Sequence, residues 1–519
     1  MSAGQQTESG SAAENSAQES APDTKVSAVI VLAAGHGTRM KSSTSKLLHK
    51  VAGKSMLSYA VRAAESLHPE HLVVVVGFER EQVEAHLADI APDVTVVVQD
   101  QQLGTGHAVR CGMSAVPADL RGNVVITYAD VPMLTGDTLD SLLGAHEEHS
   151  NAVTVLTAQL DDPTGYGRVV RDGRRVLRIV EQKDADADEL FITEVNSGIY
   201  VFNAQVLRAG LKRLSGANAQ HELYLTDVVE FANQLGHQVG TYQTEDTWQT
   251  KGVNDRLQLS QMNAEVNRRI CEHWMIEGVT IADPKTTWIE DDVTLEADVT
   301  ILPCTQLLGA TSVSAGAVIG PDTTLKDVEV GVGAHVVRTH GELSVIGPHT
   351  DVGPWARLRP GTELSEHGKI GTFVETKNAK IGAGSKVPHL TYCGDAILDT
   401  GINVGAGTIF ANYDGKHKST THVGDDVFIG SNSVLVAPVD VGSGAFVAAG
   451  STIAEDVPAG ALAVARGRLH LSQGWVARRR PGSRADQSAR HDTSDVHPAV
   501  LASREMLAAD AAKTTPTTH

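Results

Sequence analysis

The chain has 519 residues, of which 41% are hydrophobic and 20% are charged. This length predicts two or three domains, and the composition is that of a water-soluble protein whose domains each bury a core. The formal net charge of −20 argues against a nucleic-acid or anionic-membrane partner, because both require a basic surface.

The N-terminus and the cysteines indicate the compartment. Residues 1–25 are rich in Ser, Ala, Gln and Glu and lack the apolar run of a signal peptide, so we expect a disordered arm. No stretch is long and apolar enough to insert into a membrane. The four cysteines form no CxxC pair, which favours a reducing compartment without structural zinc. We therefore expect a cytoplasmic protein.

Apolar strands alternate with helices in the N-terminal half. Strand patterns lie at 26–35, 71–77, 94–99 and 123–127, and helix patterns lie at 57–66, 80–87 and 107–115. This alternation predicts a Rossmann-like α/β domain over 26–254 with a mostly parallel, doubly wound sheet. Such sheets bind ligands beyond the carboxyl ends of their strands. A linker helix is predicted over 255–277.

The period changes after residue 278. Units of about six residues recur, such as VTIADP, VTLEAD, AVIGPD, VFIGSN and SVLVAP, each with an aliphatic residue at the same place. Stacking one such side chain per coil turn builds a parallel β-helix of hexapeptide type, which we predict for a domain over 278–480. The pattern does not reveal the handedness. A polar tail over 481–519 is predicted to be disordered.

The first candidate site is the loop LAAGHGTR at the end of the first strand. Gly35 and Gly37 allow a close backbone approach, and successive N–H groups can form an anion-binding nest. The cations Arg39 and Lys46 follow, which suits a triphosphate that gains charge during substitution. Taken alone, the pattern also fits a tight turn.

Three further segments support a nucleotide and a sugar. The polar stretch QDQQLGTG, 99–106, suits the reading of a base edge. YADVP places Asp130 at a strand end, where Mg²⁺ could meet phosphate oxygens. GYGR at 165–168, Glu181 and NSG at 196–198 provide small residues and hydrogen-bonding groups for a sugar.

In this order the motifs LAAGxGTRM, QxxxLGTGHA, GYGR, NSGIY and GVN resemble the sugar-nucleotidyltransferase (pyrophosphorylase) family over residues 26–255. The resemblance implies that Asp130 and Asn254 hold Mg²⁺ and that Arg39 and Lys46 face the phosphates. The sequence departs from the family pattern at His36 and at Ser45, and proline is usual at the second of these positions. It implies nucleotide contacts from Leu32, Ala33, Ala34, Gly35, Lys46, Gln99, Gly104 and Thr105, and sugar-phosphate contacts from Gly167, Glu181, Asn196 and Asn254.

The second candidate site lies where residues 355–418 interrupt the repeats with polar groups. An amine attacking a thioester needs a base near neutral pKa, which suits His389. Glu375 could orient its imidazole, and Asn412 could serve the oxyanion. Arg359, Lys377 and Lys418 could bind a phosphate. A satisfied surface histidine and a zinc site of three scattered histidines are alternatives, although the histidine spacing does not favour zinc.

The segments LRPG, VETKNA, HLTY, NVGAGTI and NYDG resemble the bacterial family of bifunctional glucosamine-1-phosphate acetyltransferases and N-acetylglucosamine-1-phosphate uridylyltransferases, now over residues 26–480. The resemblance implies a left-handed β-helix, a homotrimer with acetyl sites between subunits, and His389 as base. It implies sugar-phosphate contacts from Arg359, Lys377, Tyr392, Asn403 and Asn412, and acetyl-CoA contacts from Ala406, Asn412, Tyr413, Ser431, Ala449 and Arg466.

The implied function is the synthesis of UDP-N-acetylglucosamine for the cell wall, with acetyl-CoA and UTP as co-substrates. One alternative is a monofunctional sugar-1-phosphate nucleotidyltransferase whose β-helix is regulatory. Another is a non-catalytic trimerisation module. A purely regulatory coil needs neither the His389 segment nor NYDG, and a trimerisation module does not explain the Arg, Lys, Asn, Tyr and His cluster within about sixty residues.

Overall fold

The computed structural model of the protein describes residues 26–77, 80–492 and 496–513. The disordered arm predicted for residues 1–25 therefore lies outside the described residues. The described part divides into an α/β half, a connecting helix and a β-helical half. Within it, no helix is both long and apolar enough to cross a bilayer.

The N-terminal half is built on a twisted sheet that contains the four strands predicted from the sequence. Its main path runs β11-β7-β10-β6-β1-β4-β5, and β8 and β9 form a hairpin that pairs with β10. The strands of this half are β1 (Val26–Ala33), β2 (Lys50–Val51), β3 (Lys54–Ser55), β4 (His71–Val76), β5 (Thr95–Val98), β6 (Asn123–Tyr128), β7 (Val153–Gln159), β8 (Gly167–Asp172), β9 (Arg175–Val180), β10 (Glu194–Asn203) and β11 (Val239–Thr244), of which β2 and β3 form a separate two-stranded sheet.

Helices cover both faces of this sheet. They are α1 (Met56–Glu65), α2 (Arg80–Ile90), α3 (Thr105–Ser114), α4 (Gly136–Glu148), α5 (Ala204–Leu211) and α6 (Asp227–Gln234). The fully buried strand β1 lies between two apolar clusters, with Ile30 in one and Val31 in the other, because successive side chains point to opposite faces. The predicted mostly parallel α/β fold is confirmed. Strand β10 is the exception on the main path, because it pairs antiparallel with β6 and β7, and the β8–β9 hairpin beside it is also antiparallel.

The parallel strands place their carboxyl ends along one edge. Strand β1 pairs in parallel with β4 and β6, and β4 pairs in parallel with β5. The loops that follow these strands carry Ala34–Gly37, Gly77, Gln99 and Ala129–Asp130. The sequence-predicted phosphate loop and the acidic strand end are therefore neighbours, although nearly a hundred residues separate them along the chain.

Helix α7 (Arg256–Ile276) joins the two halves. The side chain of Asn263 accepts a hydrogen bond from Ala52 N at 3.0 Å and donates to Lys50 O at 3.1 Å, in the β2–β3 hairpin. One turn later, Asn267 donates to Thr287 O at 2.8 Å and accepts from Ile289 N at 2.9 Å, in the first coil of the β-helix. Residues four apart share a helix face, so two asparagines tie one helix face to both halves.

The C-terminal half is a parallel β-helix, as predicted. One sheet contains β12 (Thr280–Ile281), β15 (Thr300–Ile301), β18 (Val318–Ile319), β20 (His335–Val336), β22 (Asp351–Val352), β25 (Lys369–Thr372), β27 (Lys386–His389), β29 (Asn403–Val404), β32 (Phe428–Ile429), β35 (Phe446–Val447) and β37 (Leu462–Ala463). We call it the first face.

A second, larger sheet covers the remaining faces, and we call it the second sheet. It contains β13 (Trp288–Ile289), β14 (Thr294–Leu295), β16 (Thr305–Leu308), β17 (Ser312–Val313), β19 (Thr323–Val330), β21 (Thr339–Ile346), β23 (Ala356–Leu358), β24 (Thr362–Leu364), β26 (Glu375–Ile381), β28 (Tyr392–Leu398), β30 (Ile409–Ala411), β31 (Thr421–Val423), β33 (Val434–Val436), β34 (Val439–Val441) and β36 (Thr452–Ile453).

The register explains the six-residue repeat. Asp351 pairs with Lys369, eighteen residues further on, so one coil uses three hexapeptides. Aliphatic side chains stack inward in consecutive coils and form a continuous core, which on the first face runs Ile281, Ile301, Ile319, Val336, Val352, Ile370 and Val387. The coil after Asn403 is much longer, because Asn403 pairs with Phe428, 25 residues on. The extra residues form the predicted NYDGKHK interruption.

The tail differs from its prediction. Beyond α8 (Trp475–Arg479), the structure contains α9 (Arg484–His491) and α10 (Pro498–Lys513), where the sequence predicted disorder. Ser483 caps α9 by accepting from Asp486 N at 3.2 Å, and Arg490 pairs with Asp486 at 3.0 Å one turn later. Helix α10 is rich in alanine, the strongest helix former.

Candidate functional site

A cavity of about 280 Å³ opens at the strand-end edge of the α/β half. Its wall combines the backbone of the loop after β1, the loop before α3 and the end of β6. All eight residues predicted to bind the nucleotide line it, namely Leu32, Ala33, Ala34, Gly35, Lys46, Gln99, Gly104 and Thr105. We call it the nucleotide cavity.

Two glycines allow close contacts that position residues of this cavity. Gly37 has φ +58°, and a Cβ on it would lie 2.6 Å from Lys46 Cβ. Gly104 has φ +102°, and its Cβ would lie 2.8 Å from Leu223 O. Both positions combine left-handed backbone with close contact, so any side chain there is strained. Ser45, which stands where proline is usual, has φ −51°, close to the value that proline fixes.

The resemblance implies UTP as the nucleotide, and we expect Gly37→Ala to lower kcat/KM for it by at least about tenfold, because the new methyl group would displace Lys46 from the cavity. The measurement is pyrophosphate release at varied UTP. Gly144→Ala is a matched control, since a Cβ there meets nothing within 4 Å. An unchanged kcat/KM in Gly37→Ala would show that the position of Lys46 does not matter.

The two predicted metal ligands, Asp130 and Asn254, both contact the ammonium group of Lys46. Lys46 is buried and its Nζ lies 2.5 Å from Asp130 Oδ2 and 3.3 Å from Asn254 Oδ1. Asp130 comes from the end of β6, whereas Asn254 precedes α7, and the backbone N–H of Val253 donates to Asp130 O at 2.9 Å. The three side chains thus form one cluster built from distant parts of the chain.

A second cavity of about 490 Å³ adjoins the first and shares Thr105, Tyr128 and Asp130 with it. The predicted sugar-phosphate residues Gly167, Glu181, Asn196 and Asn254 all line it. We call it the sugar cavity. Arg39 lines this cavity, whereas Lys46 lines the other one, so the two predicted phosphate cations belong to different cavities that share Asp130.

The sugar cavity contains a carboxyl group in an unusual environment. Burial raises the pKa of Glu181 above its ordinary value, although the Thr226 hydroxyl donates to it at 3.5 Å. Asn196 is also buried, and its Oδ1 accepts from Gly198 N at 2.9 Å. That bond occupies the amide oxygen, and the side chain of Asn196 also makes a hydrogen bond with Tyr200.

The second candidate site lies on one corner of the β-helix. At this corner, backbone hydrogen bonds join each coil to the one before it. The donor is the N–H of the residue that follows a predicted site residue, and the acceptor is the carbonyl of the predicted site residue one coil earlier. The bonds run from Gly407 to His389 at 3.3 Å, from Asn432 to Ala406 at 2.8 Å and from Gly450 to Ser431 at 2.8 Å. Arg466 Nη1 donates to Ala449 O at 2.9 Å. His389, Ala406, Ser431, Ala449 and Arg466 therefore form a column along the β-helix.

The predicted sugar-phosphate residues of this site divide between two sheets. Arg359 and Glu375 form an ion pair at 3.0 Å on the second sheet. Tyr392 and Lys377 lie in adjoining coils of that sheet. Asn403 belongs to the first face, where it pairs with Lys386 and Phe428. One chain therefore does not bring Asn403 onto the same sheet as the other three residues.

Two of the predicted roles need correction. Glu375 pairs with Arg359, whereas His389 pairs in register with Thr372 on the first face, so within one chain Glu375 is not placed to orient the imidazole. The amide nitrogen of Asn412 donates to Asp395 Oδ2 at 2.5 Å and to Tyr392 OH at 3.3 Å. Both of its protons are therefore used within the protein, which removes Asn412 as an oxyanion donor.

The long coil contains the remaining residues. Tyr413 forms an antiparallel bridge with Lys418, and its hydroxyl donates to Gly415 O at 2.7 Å. The loop is exposed, and Lys418 reaches back to Lys377, which lowers the pKa of Lys418. Two cations thus face each other, an arrangement that suits an anion such as a phosphate.

Comparison with known proteins explains why these two sites share one chain. Residues 29–195 match the MobA-like NTP transferase domain, and residues 420–455 match the bacterial transferase hexapeptide repeats. The bifunctional protein GlmU of Kineococcus radiotolerans is 55% identical over 462 residues, or 89% of this chain and 94% of that protein. The chain belongs to the bifunctional GlmU family. GlmU of Pseudarthrobacter chlorophenolicus is 54% identical over 90% of this chain and 96% of that protein, and GlmU of Corynebacterium diphtheriae is 51% identical over 90% and 99%.

Membership of the GlmU family makes this chain a bifunctional transferase, with a nucleotidyltransferase half and an acyltransferase half. The monofunctional and non-catalytic alternatives do not agree with relatives that match along about nine-tenths of its length. The matched regions contain strand-end loops of the nucleotide cavity and the later part of the corner column. The two halves of the fold thus correspond to two activities.

Gln102 and Glu222 are two polar residues of the nucleotide cavity that sequence reasoning missed. Gln102 lines it and donates through Nε2 to Ala34 O, which ties the base-reading loop to the phosphate loop. Glu222 lines it from a segment outside the motifs. Gln102 stands inside the stretch QDQQLGTG and could have been found there. No pattern around Glu222 marks it, because tertiary structure alone brings it to the cavity.

Proposed function

We propose that the two sites perform consecutive steps of UDP-N-acetylglucosamine synthesis. The corner column of the β-helix acetylates glucosamine-1-phosphate with acetyl-CoA. The adjoining cavities of the α/β half then transfer uridylyl from UTP to the N-acetylated sugar phosphate and release pyrophosphate. The observation that supports this proposal best is the adjacency of the nucleotide and sugar cavities, with Asp130 in the wall of both.

The uridylyl step needs no enzyme nucleophile. The sugar-phosphate oxygen attacks the α-phosphorus of UTP in line, and pyrophosphate leaves. We assign Gly35 and its neighbours to the phosphates, Gln99, Gly104 and Thr105 to the base, and Gly167, Glu181 and Asn196 to the sugar. Lys46 in the nucleotide cavity and Arg39 in the sugar cavity offset the charge that develops between the two substrates.

The residues fit a magnesium ion. Asp130 Oδ2 and Asn254 Oδ1 already converge on a cation, since both lie within hydrogen-bond distance of Lys46 Nζ. Carboxylate and amide oxygens are the ligands that Mg²⁺ takes, and it commonly uses few protein ligands with phosphates and waters. Within the described residues, no group of three or more His, Cys, Asp or Glu could hold a metal. Mg²⁺ held by Asp130 and Asn254 would neutralise phosphate charge and orient the triphosphate.

The acetyl step requires a base and a place for the thioester. His389 is exposed at the corner, where its imidazole can take a proton from the substrate amine as the amine attacks the acetyl carbon. Coenzyme A leaves as the thiol. We assign acetyl-CoA to the column formed by Ala406, Ser431, Ala449 and Arg466, with Asn412 and Tyr413 beside it. Arg359, Lys377, Tyr392 and Asn403 take the sugar phosphate.

The division of the sugar-phosphate residues supports a homotrimer. Asn403 lies on the first face, whereas Arg359 and Lys377 lie on the second sheet, so a neighbouring copy would complete the site. The corner beside His389 also exposes a large apolar surface. The rings of Trp355 and Phe373 stack there at 5.4 Å, with Leu390 in the next coil. Exposed patches of this kind mark interfaces.

The predicted partners are small molecules, and the acidic charge gives no reason to propose a nucleic acid. We propose that the enzyme works in the cytoplasm, where UTP and acetyl-CoA are made, and that its product supplies peptidoglycan synthesis.

A coupled assay tests the proposal. Purified protein receives glucosamine-1-phosphate, acetyl-CoA, UTP and Mg²⁺, and free thiol and pyrophosphate are followed separately. We expect both products, with pyrophosphate release depending on acetyl-CoA. Pyrophosphate from pre-acetylated sugar phosphate without any thiol release from glucosamine-1-phosphate would refute the acetyltransferase role of the β-helix.

A further inference from the structure

A buried carboxylate, Asp395, contacts Asn412 and Lys377 of the proposed acetyl site but has no role assigned to it so far. Asp395 lies in β28 with φ +48° and an exposed fraction of 8%. Left-handed backbone is uncommon for a residue other than glycine, and burial of a carboxylate is costly unless hydrogen bonds compensate for it. Asp395 therefore combines an uncommon backbone conformation with a buried carboxylate.

Asp395 is the middle member of a ladder that crosses three coils. Asn378, in the coil before, donates through Nδ2 to Asp395 Oδ1 at 2.9 Å. Asn412, in the long coil after, donates through Nδ2 to Asp395 Oδ2 at 2.5 Å. Each carboxylate oxygen thus accepts from an asparagine of a different coil. We call this set the Asn–Asp–Asn ladder.

The chemistry of the ladder fixes which end of Asn412 faces outward. A carboxylate only accepts hydrogen bonds, so the amide nitrogen of Asn412 must point toward Asp395. The second proton of that nitrogen goes to Tyr392 OH at 3.3 Å. The carbonyl oxygen of Asn412 is therefore the group available to a ligand, and it acts as a hydrogen-bond acceptor.

The surrounding charges keep Asp395 ionised. Burial raises the pKa of its carboxyl, but the bonds from Asn378 and Asn412, with the Lys377 and Lys418 cations, outweigh burial and hold the pKa below its ordinary value. Lys377 Nζ lies 3.7 Å from Asp395 Oδ2. The acceptor that orients Asn412 is therefore present at neutral pH.

We propose that Asp395 is a positioning residue for acetyl transfer, which holds the amide of Asn412 with its carbonyl oxygen toward the substrates. The proposal rests on the acetyltransferase function proposed above. Asp395 itself touches no reacting atom. The ladder also anchors the point where the long coil leaves the β-helix, since Ser419 N donates back to Asn412 O at 2.9 Å.

The test uses two variants of the full-length protein. Asp395→Asn leaves one acceptor and one donor between Asn378 and Asn412, so one of these amides must reverse. The double variant Asn378→Asp, Asp395→Asn moves the carboxylate one coil away. The amide introduced at position 395 can then donate to the new carboxylate and accept from Asn412, which restores the original direction of Asn412.

We expect Asp395→Asn to lower kcat for thiol release by about 10- to 100-fold with little change in KM for acetyl-CoA, as for a misplaced site group. The double variant should recover to within about threefold of wild type. Equal activity in Asp395→Asn and wild type would overturn the proposal. So would a double variant that keeps the wild-type thermal unfolding profile yet stays as slow as the single one.

The remaining outcomes also test the proposed role of Asp395. If both variants lose the unfolding transition of the β-helix, Asp395 is needed for folding and the positioning role is wrong. Pyrophosphate release from pre-acetylated sugar phosphate shows in each variant that the other half is intact. If wild-type protein releases no thiol at all, the proposed acetyltransferase function fails first, and this result is seen before any variant is made.

Discussion

Asp130→Ala is expected to lower pyrophosphate release by at least about 100-fold while thiol release from the same protein stays near wild type. The substitution removes the carboxylate that both cavities share and leaves the buried ammonium of Lys46 without its 2.5 Å partner. It also removes one of the two oxygens that converge where we place Mg²⁺. Positioning and charge neutralisation in the uridylyl site are lost together, whereas the β-helix is untouched.

The measurement compares Asp130→Ala with Asp130→Asn and with Asp140→Ala. The asparagine keeps the shape of the side chain and removes the charge, so it should be nearly as slow as alanine if the charge matters. Asp140 is exposed on α4, and its substitution should leave both rates unchanged. Loss of thiol release in folded Asp130→Ala protein would contradict the assignment of two independent sites.

The strand-end site could be predicted because its chemistry is local in sequence. Loops that follow parallel strands meet at one edge, so LAAGHGTR after β1 and Asp130 after β6 could be placed together from the sequence alone. The contact between Asn254 and Lys46 could not be predicted in this way. It depends on where the chain returns after β11, and only the resemblance to a family indicated it.

In the β-helix, the fold could be predicted from the sequence more readily than the site. Its six-residue period predicted the fold, but not which residues share a corner, because coil length varies. Asp351 and Lys369 are eighteen residues apart, whereas Asn403 and Phe428 are 25 apart. A one-residue error in a coil moves a side chain to another face. The pairing of Glu375 with Arg359 rather than His389 is a consequence of that register.

The prediction of disorder in the C-terminal tail was wrong for a further reason. Its composition is polar, and polar composition predicts disorder unless local bonds form. The Ser483 cap and the Arg490–Asp486 pair of α9 supply such bonds, and the sequence contains both at helical spacing. A search for caps and i,i+4 pairs would have found this helix, whereas average composition concealed it.

His389→Ala is expected to lower thiol release from glucosamine-1-phosphate by about 100- to 10,000-fold, because the attacking amine would lose its base. Pyrophosphate release from pre-acetylated sugar phosphate should remain within about twofold of wild type, since the uridylyl cavities lie in the other half of the chain. In the coupled assay the same variant should release almost no pyrophosphate from glucosamine-1-phosphate, because its second step would lack a substrate.

The matched control is His335→Ala. His335 is exposed on the first face, the same sheet that carries His389, but it lies three coils earlier and outside the column. Its loss should leave both rates unchanged, which separates the chemistry of the corner from any general effect of removing an exposed imidazole. If His389→Ala kept its thiol release, the base would lie elsewhere. Because His389 begins the column that ends at Arg466, acetyl-CoA would then have to bind away from that corner.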